Sequence, residues 1–313
     1  MNKDDLLSRA RTCGILVIIG LIVFAALPAR AQQQERGLIA VGKPRTERKS
    51  DQKVELWALL IGVSRFKNGD VNVRGNQISN LKYAGDDAQA INEFLRSEEG
   101  GGFLEDHIIL LKDENATKAK VEQALETLRK TKPYDFFVTF IATHGVLSGQ
   151  YESKLGKTIE VAYYVLYDSD LSNLPNTGLP MAAFQDAVKQ IPAKQGLVLS
   201  DTCHSAAILM AGRGAGESKR ANSELIEKLK EADVTGVGYI WAADQTEVSL
   251  EMDDLSQGQG QGQGVFSYCL LEGLRGNADG DADGVVTFLE LKNYVQKKVP
   301  ELTGETPQHP GGN

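Results

Sequence analysis

The chain has 313 residues, 42% hydrophobic and 24% charged, the balance of an ordinary globular protein. Its net charge of −8, with no long Lys/Arg tract to offset it, argues against nucleic acid as a general partner. Composition alone names no function.

In chain order, Arg9 and Arg11 precede an apolar stretch from Cys13 to Pro28, followed by Ala29-Arg30-Ala31. A basic start, a short apolar core and small residues at the cut are the layout of a secretory signal. Residues 1–31 are therefore expected to be removed, with the cut near Ala31 and a secreted or periplasmic product. The membrane would be met only during export. The alternative is an uncleaved anchor, because the run nearly reaches the ~20 residues that span a bilayer. Residues 32–52 are polar and irregular and read as a linker.

Past the linker, strand-like and helix-like segments alternate. The apolar run 54–63 predicts a strand buried on both faces. Residues 83–97 carry apolar positions at helical spacing. A second strand is expected at 107–113, then a helix over 117–130 with Thr117 as its N-cap. Residues 135–145 predict a third strand and 179–191 a helix. Residues 195–204 predict a fourth strand, 223–233 a helix, 236–244 a fifth strand, and 265–276 a closing helix. Such alternation implies right-handed crossovers and a mainly parallel sheet covered on both faces, an α/β three-layer arrangement. Ligands and chemistry then belong beyond the carboxyl ends of the strands. Two polar, glycine-rich stretches, 211–222 and 256–264, read as mobile loops.

Two strand ends carry reactive residues. The third runs into Thr143-His144-Gly145 and the fourth into Asp201-Thr202-Cys203-His204. If both strands lie parallel in one sheet, His144 and Cys203 emerge at the same edge. An imidazole beside a thiol takes its proton and later returns it to a leaving amine. The backbone N–H groups of Gly145 and Cys203 are then candidates to face a developing oxyanion. The competing reading of Cys203 is a disulfide with Cys269, but Cys269 falls at a core-facing helical position and reads as a small buried hydrophobe. His204 follows the cysteine directly and points to the opposite side. His107 opens a strand, and His309 lies in a polar tail.

At this point the sequence resembles the caspase-like cysteine peptidases, specifically the metacaspase and bacterial caspase-domain branch. The segments "LLIGVSRF", "LKYAGDDAQAINEFL", "DFFVTFIATHG", "YYVLYDSD", "LVLSDTCHSA" and "GVFSYCLLEGL" follow one another in the family's order. The resemblance implies a three-layer αβα caspase-like sandwich over 53–276, with His144 as base and Cys203 as nucleophile. The family commonly has Ser-Gly-His-Gly where this chain has Ala142-Thr143-His144-Gly145. It commonly has glycine where this chain has Ala206. In metacaspase-like members acidic residues select Arg or Lys before the scissile bond, and these map onto Asp201 and Asp87. A buried carboxylate pair needs a cation, and a substrate guanidinium or ammonium supplies one. The plainer reading of Asp87 is a favourable charge at its helix N-terminus. Arg213, Lys219 and Arg220 fall where such enzymes carry a processing linker, so self-cleavage is expected there.

Residues 279–290, DGDADGVVTFLE, match the D-x-[DN]-x-[DN]-G-x5-E pattern of a calcium loop. Asp279, Asp281 and Asp283, the Val285 carbonyl, Thr287 through water, and Glu290 are the expected Ca2+ ligands. The alternative is an acidic surface turn. This EF-hand-like loop and its closing helix occupy 277–300, before a polar tail over 301–313. Asp168 and Asp170 in "YDSD" are a second, weaker candidate for calcium. The whole reads as an exported cysteine endopeptidase acting on protein or peptide substrates with a basic P1 residue. The alternatives are a calcium-dependent binding or scaffold protein on an inactive caspase-like fold, and a small-molecule amide hydrolase.

Overall fold

The computed structural model describes residues 53–69, 71–73, 76–152, 157–203, 236–243, 247–255, 262–306 and 308–312. The expected signal and linker, His204, the 211–222 stretch with Arg213, Lys219 and Arg220, and the 223–233 helix lie outside these residues.

The described strands are β1 (Leu56–Gly62), β2 (Val71–Val73), β3 (Asn76–Ile78), β4 (Ile108–Lys112), β5 (Phe136–Glu152) and β6 (Lys157–Tyr164). They continue with β7 (Leu179–Pro180), β8 (Gln195–Cys203), β9 (Val237–Trp241), β10 (Glu251–Met252), β11 (Gln263–Gly264) and β12 (Gly311–Gly312). The helices are α1 (Ala84–Arg96), α2 (Lys118–Leu128), α3 (Leu174–Thr177), α4 (Met181–Lys189), α5 (Val265–Glu272) and α6 (Phe288–Thr303). The main sheet runs β12-β9-β8-β5-β1-β4. Its five long strands β9, β8, β5, β1 and β4 are mutually parallel, as the alternating pattern predicts.

Strand periodicity divides the core into two layers. Ala58 and Leu60 of β1, with Val138 and Phe140 of β5, pack under α1, α5 and α6. Leu59 and Ile61, with Phe137 and Ile141, pack under α2 and α4. That is a three-layer α/β sandwich. Helix α1 lies so close to β1 that a Cβ on Gly62 would come within 2.2 Å of the Ala84 carbonyl. Thr117 caps α2 as expected, its side chain accepting from the Lys120 N–H.

Three features extend the sequence reading. Strand β5 continues well past residue 145 and pairs antiparallel with β6, which pairs with β7. The stretch 256–264 is not loose at its end, because Gln263 and Gly264 form β11, paired with β10 and buried. The closing helix over 265–276 passes at Gly273–Asn277 into a wider turn with Gly276 at φ 109°. No helix among the described residues is long and apolar enough to cross a membrane.

Candidate active site

Strand β1 stops where the Val63 N–H bonds to the Ala142 carbonyl, at 3.0 Å, while β5 and β8 run on side by side. Their register pairs Ala142 with Asp201, Thr143 with Thr202 and His144 with Cys203. Adjacent strands lie about 4.8 Å apart, and paired positions share one face of the pleat. The face that holds Ala142 is the one under α1 and α5. The half-buried His144 ring stacks on Phe66 with centroids 5.4 Å apart. Its Nε2 lies 2.8 Å from the Ser79 carbonyl. A carbonyl only accepts, so this contact assigns the proton to Nε2 and leaves Nδ1 as the basic nitrogen of the neutral ring. Burial lowers the His144 pKa, opposed by the Ser79 contact and the charge of Glu251. The ring is therefore neutral near pH 7.

Gly145 follows, opposite Tyr164 of β6. The neighbouring bond from the Val165 N–H to the His144 carbonyl, 2.9 Å, makes this a non-hydrogen-bonded pair. The Gly145 amide is consequently not part of the ladder to β6.

Below the two strand ends lies an acidic pocket. Its walls are Leu81, Ala84 and Asp87 from the start of α1, Ala142 and Thr143, Asp201, and Ser249, Leu250, Glu251 and Gly264. As folded it encloses about 20 Å³, room for one water. Asp87 and Asp201 are 1% and 6% exposed. Both flank the same point: a Cβ on Gly264 would lie 2.7 Å from an Asp87 oxygen and 3.1 Å from one of Asp201. Only glycine leaves this space open.

The partners of these acids are neutral. Asp87 accepts from the Gly264 N–H at 3.1 Å. Asp201 accepts from Ser249 Oγ at 2.5 Å and Ser267 Oγ at 2.6 Å. Among the described residues, neither carboxylate forms an ion pair. Burial, and after it the Asp201 charge, hold Asp87 well above the usual carboxylate range. Burial also raises Asp201, while the two serine hydroxyls pull it back. Glu251 adds a third negative charge at the rim, fixed by the Lys82 and Tyr83 amides at 2.9 Å each. Asp87 thus lies in the first turn of α1 but makes no side-chain cap.

A second acidic group forms between α5 and α6. Asp279, Asp281 and Asp283 each offer a carboxylate oxygen, all within 4.8 Å of one another. Gly284, at φ 85°, makes the sharp turn that only glycine takes without strain. Thr287 and Glu290 form a reciprocal capping box at the start of α6. The remaining Glu290 oxygen accepts from the Gly280 N–H at 3.0 Å, drawing the two ends of the loop together. The donor set, the glycine turn and the closing glutamate all fit a calcium ion. Of the second calcium candidate, Asp168 accepts from the Lys118 N–H at the start of α2, and Asp170 holds a turn through Ser172.

Of the other described histidines, His107 is stacked on Trp57 and His309 is paired with Glu247. Cys269 is a free, buried thiol, which burial pushes up to about 12. Sequence reasoning missed Ser249, Glu251, Ser267 and Gln308. The only signal for Ser267 was its place two residues before a core-facing cysteine. The other three sit in aperiodic segments.

Three comparisons bear on this arrangement. The family model for the caspase domain, Peptidase_C14, matches residues 55–311. No curated protein matches the sequence. A solved protein of Geobacter sulfurreducens is 18% identical with a TM-score of 0.53, covering 83% of this chain and 92% of its own. Caspase-1 of Spodoptera frugiperda is 13% identical with a TM-score of 0.52, covering 88% of this chain and 95% of its own. At such identities these two structures share the fold.

Proposed function

Because the chain belongs to the caspase-domain family of cysteine peptidases, we propose that it is an exported endopeptidase. It uses a His144–Cys203 pair and cuts after Arg or Lys. The observation that carries this reading is the register that sets His144 beside Cys203 above two buried carboxylates that form no ion pair among the described residues.

The chemistry follows from these groups. His144 Nδ1 takes the thiol proton of Cys203, and the sulfur attacks the scissile carbonyl carbon. The negative charge that develops on the carbonyl oxygen is met by the Gly145 and Cys203 amides. The C–N bond then breaks as the imidazolium returns its proton to the leaving amine. Water, deprotonated by His144, hydrolyses the thioester and frees the thiol. The neutral ring near pH 7 suits the first step.

The pocket sets the side chain that precedes the bond. Asp87, Asp201 and Glu251 offer negative charge with neutral partners, so an entering cation gains a full electrostatic complement. A guanidinium or ammonium is larger than one water, so it enters by pushing back the Ser249–Glu251 and Gly264 wall. An Asp side chain would meet only repulsion.

The 279–290 loop would hold Ca2+ through Asp279, Asp281, Asp283, the Val285 carbonyl and Glu290, with Thr287 acting through water. The ion supplies charge neutralisation that ties the loop and α6 together, stabilising the folded state it binds. The pattern of residues 1–31 supports export, with a cut near Ala31.

The test uses the full chain expressed with its own leader, with and without calcium and a reductant, alongside Cys203→Ala. Fluorogenic peptides ending in Arg, Lys or Asp are followed. Cleavage after Arg or Lys, absent in the variant, is expected. Cleavage surviving in Cys203→Ala, or preferred after Asp, would sink the reading. The mass of the product reports the cut near Ala31.

A further inference from the structure

Gln308 lies five residues beyond α6, in a segment without periodic pattern, and is 0% exposed. A buried primary amide has to satisfy both its ends. Its Oε1 accepts from the Leu250 N–H at 3.0 Å. Its Nε2 donates to the Ala242 carbonyl at 3.2 Å and to Ser249 Oγ at 3.1 Å. Ser249 Oγ in turn lies 2.5 Å from Asp201 Oδ1.

The chemistry sets the direction of this chain. An ionised carboxylate only accepts, so the Ser249 proton points at Asp201. The Ser249 oxygen is then left to receive the Gln308 amide. Ser267 holds the other Asp201 oxygen at 2.6 Å, so the carboxylate is clamped on both sides.

The tail that delivers Gln308 is itself fastened. The His309 N–H donates to Glu247 at 2.6 Å, and the Pro310 carbonyl accepts from Gln296 Nε2 of α6 at 3.2 Å. Gly311 and Gly312 then pair antiparallel with β9. The amide is thus held in place from before and after.

We infer that Gln308 is a positioning residue for substrate selection: through Ser249 it fixes the Asp201 carboxylate in the orientation that receives the basic side chain. This rests on the pocket reading given above. A hydrogen bond in the path to a charged group is worth about tenfold in binding. A tail that only anchored the chain end would not distinguish one peptide from another.

The experiment measures binding of a fluorescein-labelled peptide with Arg before the bond, and of the same peptide with norleucine there, to full-chain protein carrying Cys203→Ala. In that background, Gln308→Met is expected to weaken the Arg peptide about tenfold and leave the norleucine peptide unchanged. Ser249→Ala should do the same, Ser249→Thr should restore binding, and the double variant should be no worse than either single, because both act on one path. Asp201→Asn separates the possible failures. If it weakens the Arg peptide while Gln308→Met and Ser249→Ala do not, or affect both peptides equally, only the role of Gln308 falls. If Asp201→Asn has no effect, the pocket reading falls and takes this one with it. Should Gln308→Met fail to fold, Gln308→Asn, which draws the amide back by one methylene, is measured in its place and is expected to weaken the Arg peptide alone; an equal effect on both peptides, or none, overturns the role of Gln308.

Discussion

Asp87 and Asp201 are buried beneath two strand ends, whereas Asp279, Asp281 and Asp283 stand in a loop open to water, although both groups gather negative charge. The loop carboxylates are solvated, so their repulsion is screened and the fold tolerates them cheaply. The buried pair is largely desolvated and, among the described residues, accepts only from neutral donors, so holding it ionised costs stability. The first arrangement suits a small ion that comes and goes. The second suits a cation attached to something else, whose entry relieves a standing cost. Where a carboxylate is placed decides what kind of cation it selects.

The comparison breaks most visibly on activity. Asp201→Asn should lower kcat/KM for Arg peptides about 100-fold, since it removes one partner of a buried charge pair. Asp281→Asn, measured without calcium, should change it less than about threefold. Next in size is calcium itself. At a hundred times its Kd it should raise the melting temperature by about 5 °C, an effect lost in Glu290→Gln and intact in Asp87→Asn.

Smaller again is the stability gain from Asp87→Asn. A raised carboxylate pKa means that the folded state keeps a proton that the unfolded chain releases near pH 3.8. Stability therefore falls as pH climbs from about 4 through the raised value. The asparagine variant escapes this, so it should be more stable by about 1 kcal/mol at neutral pH. The gain should vanish towards pH 4, as read from denaturant midpoints across pH. It should also cleave Arg peptides more slowly, which makes the trade between stability and selection explicit. Smallest is Thr287→Ala, which loses one half of the capping box and should lower the melting temperature by about 1–2 °C even without calcium.

Much of the fold was legible because a parallel strand buried on both faces leaves an unbroken apolar run. The runs at 54–63, 135–145 and 195–204 became β1, β5 and β8 for that reason. What no run of residues states is strand order. That His144 sits beside Cys203 depends on β5 and β8 being neighbours in register, which is a property of the assembled sheet. Asp87 and Asp201 stood out through the family resemblance, and the structure brings both to one pocket. Ser249, Glu251 and Gln308 were invisible because each makes its contacts from a short or irregular segment, where no periodicity marks a buried side. The stretch 301–313 reads as polar for the same reason, yet Gln308 within it is wholly enclosed.

The pairing of β12 with β9 has a consequence for how copies of this protein meet. A β-sheet whose last strand is bare offers a row of unsatisfied amides and carbonyls to any passing strand. Here Gly311 and Gly312 cover β9 over Trp241 and Ile240. A Cβ on Gly311 would fall 2.2 Å from the Trp241 indole, so no larger residue lies flat at that position. Over the described residues this cover spans Gly311 and Gly312. Edge-to-edge association through β9 would first have to lift the same tail that carries Gln308, and so would disturb the selectivity pocket.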